Sequence, residues 1–302
     1  MRVVYVMAEY SLHNQLVEEH LRARPDDELA VVKVPLVLRG KGRRETAERI
    51  APKLSRRFLW GKLLEAAVVL TVTATPKLLR RGAVFQRLGR IARRRGLPFL
   101  ETPDIMSEEA LAFIRAHEPD VVLTLFHQIV RRKLIELPRL GVVNIHPGLL
   151  PDFRGIQPYF WELSEGSPRA GATVHFIEDE QIDAGGVLGQ ASYPVPPGVS
   201  VQLNYYLTCR AAARLVPACL AALEEGVARP EAQDPEAGAY WRWPDSAAFD
   251  RLEARGHCLM SWRQLFGLLV GRHDDPAVSL AVGRSDGAAA GDLAGAAAGD
   301  LQ

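Results

Sequence analysis

Apolar positions along the chain follow two alternating patterns. Residues 2–8 (Arg-Val-Val-Tyr-Val-Met-Ala) are apolar almost throughout, which predicts a strand buried on both faces. Residues 9–24 then set Leu12, Leu16, Val17 and Leu21 on one helical face. Asp26 and Asp27 mark a turn, and 28–38, rich in Val and Leu, predicts a second strand. After a long basic stretch the alternation resumes. It gives a strand at 98–101, a helix over 107–117 capped by Ser107, an apolar strand over 120–126, a loop with a short helix over 127–137, and a strand starting at Gly141. Beyond lie a short helix at 158–165, strands at 170–177 and 187–195, and a long helix over 200–225. That helix carries Leu203, Leu207, Ala211, Leu215, Ala218 and Ala222 on one side. Strands alternating with helices imply an α/β protein, with a mainly parallel sheet covered by helices.

The pattern weakens in two places. Residues 39–96 read as a basic insertion of two or three helices, near 43–57, 58–74 and 79–95; the Val- and Thr-rich end of the middle one also suits a strand. After Gly226 a polar, Pro-rich extension carries Tyr240, Trp241 and Trp243, with short helices expected at 245–255 and 260–271. Residues 1–226 are therefore expected to form one unit and 227–272 an extension. Residues 273–302, ending in Ala/Gly/Asp repeats from Asp286, are expected to be a tail that cannot bury a core.

Charge changes the picture of the insertion. The net charge of the 302-residue chain is +1, which points to no polyanionic partner, and nucleic acid is not expected. Yet between Arg39 and Arg95 there are 17 Lys and Arg against Glu45, Glu48 and Glu65, a net of +14. A solvated helix face is the plain explanation. Attraction of a phosphate-bearing partner and contact with a membrane surface are the functional ones. Apolar residues beside arginines (Arg56, Arg57, Phe58, Leu59, Trp60) favour a partner or membrane surface over solvation alone. Cys209, Cys219 and Cys258 have no metal-ligand spacing and read as free thiols of a reducing cytoplasm. The first residues form a strand, with no leader pattern, and no apolar run is expected to span a membrane; a cytoplasmic, at most peripheral, location follows.

Candidate chemistry concentrates at 141–155, Gly-Val-Val-Asn-Ile-His-Pro-Gly-Leu-Leu-Pro-Asp-Phe-Arg-Gly. Asn144 and His146, at i, i+2 on a strand, share a face. Pro147 ends the strand just after them, and Gly148, Pro151 and Gly155 shape a loop. An amide and an imidazole at the carboxyl end of a parallel strand suit a carbonyl: one is a neutral donor, the other moves a proton near neutral pH. Thr173 and His175 repeat the i, i+2 spacing, and Asp183 follows in a glycine-containing loop. The first strand-to-helix turn has no glycine, so it is neither a dinucleotide fingerprint nor a P-loop.

Read together, the motifs are Asn-x-His-Pro-x-Leu-Leu-Pro-x-x-Arg-Gly from Asn144, Thr-x-His from Thr173 and Asp-x-Gly-Gly-x-x-x-Gln from Asp183. This resembles the folate-dependent formyltransferase family, which includes glycinamide ribonucleotide, methionyl-tRNA and sugar-nucleotide enzymes. The resemblance runs from about 98 to 225 and more weakly over 1–38. It implies a Rossmann-like formyltransferase fold and transfer of a formyl group from 10-formyltetrahydrofolate to an amine through a tetrahedral intermediate, with no metal. It implies catalytic roles for Asn144 (donor to the oxyanion), His146 (stabiliser and proton carrier) and Asp183 (partner of His146), with His175 supporting the Asp183 loop. The donor would lie between Phe126, His127, Gln128, Ile129 and Val130 on one side and Asp183, Ala184 and Gly185 on the other. Arg154, Gly155 and Gln157 would face the acceptor, and Arg154 equally suits pinning its own loop.

Departures narrow the acceptor. Gly148 stands where many members carry Ser, which reads as neutral. The glycine-rich first turn of the purine-pathway members is missing, and the residues after 226 look too few and too rich in Ala, Gly and Pro for the β-barrel of the methionyl-tRNA enzymes. The formyl-folate hydrolases would require a regulatory domain before residue 1, which is not expected here. A small amine, such as an amino sugar or a natural-product amine, is the expected acceptor; methionyl-tRNA is the weaker alternative, and a non-catalytic binding protein of the same fold is the rival class.

Overall fold

A computed structural model describes residues 1–8, 10–35, 41–74, 88–234, 236–270 and 275–285. In chain order the elements are β1 (Arg2–Ala8), α1 (Asn14–Ala23), β2 (Glu28–Val34), α2 (Arg43–Ile50), α3 (Arg56–Ala74), α4 (Leu88–Arg95) and β3 (Phe99–Glu101). Then come α5 (Glu108–Ala116), β4 (Val121–Leu125), α6 (Arg132–Ile135), β5 (Gly141–His146), β6 (Phe153–Gly155), α7 (Pro158–Ser164), β7 (Arg169–Ile177) and β8 (Val187–Pro194). The chain continues with α8 (Val201–Glu224), β9 (Ala239–Trp241), α9 (Ser246–Ala254), α10 (Trp262–Val270) and β10 (Ser279–Val282).

Eight strands form one sheet in the order β10-β8-β7-β5-β4-β1-β2-β3. β3, β2, β1, β4 and β5 are parallel; β7, β8 and β10 continue the sheet in antiparallel pairs. Successive residues of β1 feed opposite cores. Val3, Tyr5 and Met7 join the cluster under α1, α4 and α8, while Val4 and Val6 join the one under α5 and α6. A strand covered on both faces has no polar side to show, which explains its unbroken apolar run. Ser107 Oγ accepts from Ala110 N and Ser200 Oγ from Leu203 N, so both helices start where their caps predict.

β2 and β4 flank β1 on opposite sides, so the strand order reverses at β1, and the carboxyl ends of β1, β4 and β5 open together at that point. Such a switch point is where open α/β sheets leave a crevice.

Several expectations shift. The first helix starts at Asn14, after a single 3-10 turn, because Tyr10 is extended and the His13 ring turns back onto the Ala8 carbonyl (3.0 Å). Residues 36–38 and 75–87, within the second expected strand and the helices of the insertion, lie outside the described residues, as does the repeat region from Asp286. The middle of the insertion is helix α3 rather than strand. Its charge is partly neutralised within the fold: Arg94 and Arg95 pair with Glu18, and Arg57 pairs with Asp250. Residues 279–282 are not a tail. They form β10, the antiparallel edge partner of β8, because Leu280 and Val282 alternate toward the core. Among the described helices α8 is long and apolar enough to cross a membrane, but 67% of that apolar window is buried in the fold. It packs against α1, β7 and β8, which makes it the core helix of the sheet.

Candidate active site

The antiparallel pairing of β5 with β7 assembles the polar residues. Asn144 lies opposite His175, and His146 opposite Thr173. Each i, i+2 pair on one strand therefore meets the i, i+2 pair on the other, on the same face. The Asn144 amide is fixed from two sides: Thr124 Oγ1 donates to its Oδ1 (2.9 Å), and its Nδ2 contacts His175 Nε2 at 3.1 Å. His175 Nδ1 lies 2.8 Å from the Phe176 carbonyl, which can only accept. Nδ1 therefore carries the proton, Nε2 accepts from Asn144, and one N–H of that amide is left for other work.

His146 is buried and held at both nitrogens. Nε2 is 2.7 Å from the Phe153 carbonyl, and Nδ1 is 3.4 Å from Asp183 Oδ1. Burial is the largest single influence on His146 and opposes its charge. The Asp183 carboxylate and the Phe153 carbonyl together outweigh burial and raise the imidazole above its ordinary value. Burial likewise favours neutral Asp183, but the nearby His146 ring holds its carboxyl well below the usual carboxylate range. Both shifts favour the charged forms, so each side chain stabilises the charge on the other.

Asp183 reaches this position from a left-handed backbone (φ 55°), a conformation that asparagine and aspartate tolerate better than most residues. Its Oδ2 accepts from Gly155 N (2.9 Å) and its Oδ1 lies 3.7 Å from His175 Nε2. Gln157 is also left-handed (φ 58°) and accepts from the Tyr159 hydroxyl at 2.5 Å. Non-glycine residues in this region carry strain that collects at working sites.

The loop between β5 and β6 is anchored through its backbone. Thr173 Oγ1 donates to Gly148 O and accepts from Leu150 N; Gln190 Nε2 donates to Leu150 O; Glu162 Oε1 accepts from Leu149 N. The Gln at the end of the Asp-x-Gly-Gly motif and the Thr of Thr-x-His are thus loop anchors. Thr124, Glu162 and Gln233 also bear on the site. Thr124 gives no local signal in an apolar strand, whereas Glu162 is a lone acid in an otherwise apolar helical turn and could have been picked out.

The remaining candidates divide. Phe126, His127, Gln128, Ile129 and Val130 leave the end of β4 beside the site. Ile129 is half exposed and Val130 buried. The Gln128 side chain is committed to the fold, donating to Pro103 O and accepting from Ile105 N. Arg154 turns its guanidinium to the Asp234 carbonyl (2.9 Å), so pinning its own surroundings is the role its contacts favour. Gly155 is occupied with Asp183, and a Cβ there would lie 2.4 Å from the Trp241 carbonyl.

The sequence model of the Formyl transferase family matches residues 59–213. The chain belongs to the formyl transferase family. Methionyl-tRNA formyltransferase of Trichlorobacter lovleyi is 32% identical over 151 residues, 50% of this chain and 48% of that protein. That of Thermotoga maritima is 38% identical over 108 residues, 35% of this chain and 34% of that protein. The chain thus spans about half the length, or less, of these curated relatives. Among solved structures, glycinamide ribonucleotide transformylase 1 of Symbiobacterium toebii is similar with a TM-score of 0.51 at 21% identity, over 78% of this chain and 94% of that one. A sugar N-formyltransferase from Shewanella is similar with a TM-score of 0.50 at 17% identity, over 82% and 78%. At such identities these two establish the shared fold, a mostly parallel sheet flanked by helices.

Proposed function

We propose that this family member transfers a formyl group from 10-formyltetrahydrofolate to a small amine, with Asn144, His146 and Asp183 as its catalytic residues. The observation that carries the reading is the buried His146–Asp183 pair at 3.4 Å, with Asn144 on the same strand face. The half-exposed Ile129 offers an apolar surface suited to the pterin of the donor, which we place between residues 126–130 and 183–185. The donor supplies an activated formyl carbon. The free N–H of Asn144 stabilises negative charge developing on the formyl oxygen. His146, whose charged form Asp183 favours, adds positive charge there; its Nε2 proton, released from the Phe153 carbonyl, goes to the departing donor nitrogen, and the proton lost by the attacking amine returns to that ring nitrogen. Asp183 keeps Nδ1 protonated and the ring oriented.

The described residues after 226 add β9, α9, α10 and β10 to the catalytic body. The test is formyl transfer to a panel of amino sugars and other amines, with methionyl-tRNA as the competing acceptor, in wild type and His146→Ala. Transfer should fall by ~100-fold or more in the variant; equal rates would return the chain to a binding role.

A further inference from the structure

Residues 231–234 and 236–241 lie beyond the segment matched to the family, yet they touch three parts of the site. β9 pairs in parallel with β6, setting Tyr240 opposite Arg154 and Trp241 opposite Gly155. Gly238, left-handed at φ 72°, passes so close beneath the loop that a Cβ would lie 1.9 Å from the Pro151 carbonyl. The Gln233 side chain donates from Nε2 to two carbonyls, Asp183 O (3.0 Å) and Gly185 O (2.7 Å). Its Oε1 is buried without a hydrogen-bond partner among the described residues.

One NH2 group therefore spans the two carbonyls on either side of Ala184. Two carbonyl oxygens brought to one place repel each other, and a primary amide is the neutral side chain that offers two protons at one atom. The clamp fixes the backbone at the residue that must remain left-handed. Asp183 is held there with one oxygen toward His146 and the other on Gly155 N.

We propose that Gln233 is a positioning residue for the His146–Asp183 pair, and that residues 231–234 and 236–241 complete the active site. The proposal rests on the reading of that pair as the reaction centre. Gln233 touches neither ring nor carboxylate in the contacts above; it acts through the main chain of 183–185. Loosening the clamp lets Asp183 swing from His146, and the imidazole then loses the charge that raises its titration.

The test compares the full chain with Gln233→Met, which keeps an unbranched side chain of similar length without N–H groups or charge; Gln233→Ala replaces it if the methionine variant does not fold. The first readout is the His146 ring titration by NMR, which needs no substrate. Asp183 and His175 are the titratable side chains against that ring. The variant should titrate lower by about half a unit or more. The second readout is formyl transfer, where kcat should fall ~10-fold with a smaller change in KM for the amine. A variant titrating like the wild type overturns the proposal, whatever its rate; a merely structural Gln233 would lower the unfolding midpoint and leave the titration in place. If the titration shifts but the wild type transfers no formyl group to any amine, the positioning role stands and the functional reading falls.

Discussion

His146 Nδ1 lies 3.4 Å from Asp183 Oδ1, with the two side chains only 3% and 10% exposed. A pair so placed stabilises the fold within a defined pH window. Asp183 is held below its ordinary value of 3.8, so its share is present above that pH and is lost as pH falls through the lowered value. His146 is raised above 6.5, so its share is complete below that pH and is lost as pH rises through the raised value. Both contribute in full between those ordinary values. Asp183→Asn should cost about 3 kcal/mol near pH 5 and less in alkali, where His146 is neutral. Denaturant unfolding at the two pH values measures this, and an equal loss at both would point to the Gly155 contact instead of the charge pair.

Asn144 can offer an N–H to a reacting oxygen only while its amide faces the right way. Thr124 Oγ1, donating to Oδ1 at 2.9 Å, selects that orientation together with His175. Thr124→Val keeps the shape and removes the donor. It should lower kcat by ~10-fold and cost about 1 kcal/mol of stability, with KM for both substrates nearly unchanged. A rise in KM with kcat intact would mean that Thr124 serves binding.

Asn144 and His146 were legible because strand period and a following proline are local features. That Thr173 and His175 would stand opposite them was not, since it depends on β7 running antiparallel to β5 in one register. No local pattern carries such a register. β6 and β9 are three residues each, too short for any periodicity, and their pairing brings a segment some eighty residues away onto the catalytic loop. Ser279–Val282 is hidden by its size and setting: a four-residue edge strand just ahead of a low-complexity stretch has little pattern of its own. Arg154 shows a limit of another kind: its place in the motif suits an acceptor contact and a loop pin equally, and only its surroundings supply the Asp234 carbonyl that its guanidinium meets.

Gly148 looked neutral from the sequence, and the fold gives it a reason. A Cβ there would lie 2.4 Å from Pro158 Cβ and 3.4 Å from His146 Nε2. Pro158 opens α7 and cannot rotate away, so any side chain at 148 must move the loop or the helix. Gly148→Ser should therefore cost about 1–3 kcal/mol and lower kcat by displacing the ring of His146. Thermal unfolding and formyl-transfer rates together check this; a serine variant with wild-type stability and rate would mean that α7 shifts freely.

Glu162 offers a test of how the loop is held. Its carboxyl is fully buried, and Oε1 accepts from Leu149 N and Gly171 N, both at 3.2 Å. Burial pushes it well above its ordinary value of 4.5, against the smaller opposing effect of those N–H groups. An acid raised in the fold stabilises fully below its ordinary value and loses that share as pH rises through the raised one. The wild type should therefore lose stability steadily above pH 4.5 from this residue alone. Glu162→Gln keeps an acceptor for both N–H groups and cannot ionise, so its unfolding midpoint should decline less over the same range. Glu162→Ala leaves both N–H groups unpaired and should cost about 2 kcal/mol in acid, a deficit that shrinks as the wild type itself loses stability with rising pH, and it loosens Leu149 and with it the catalytic loop. Unfolding midpoints from acid to alkali separate the three; a glutamine variant that tracks the wild type throughout would place the pH dependence elsewhere.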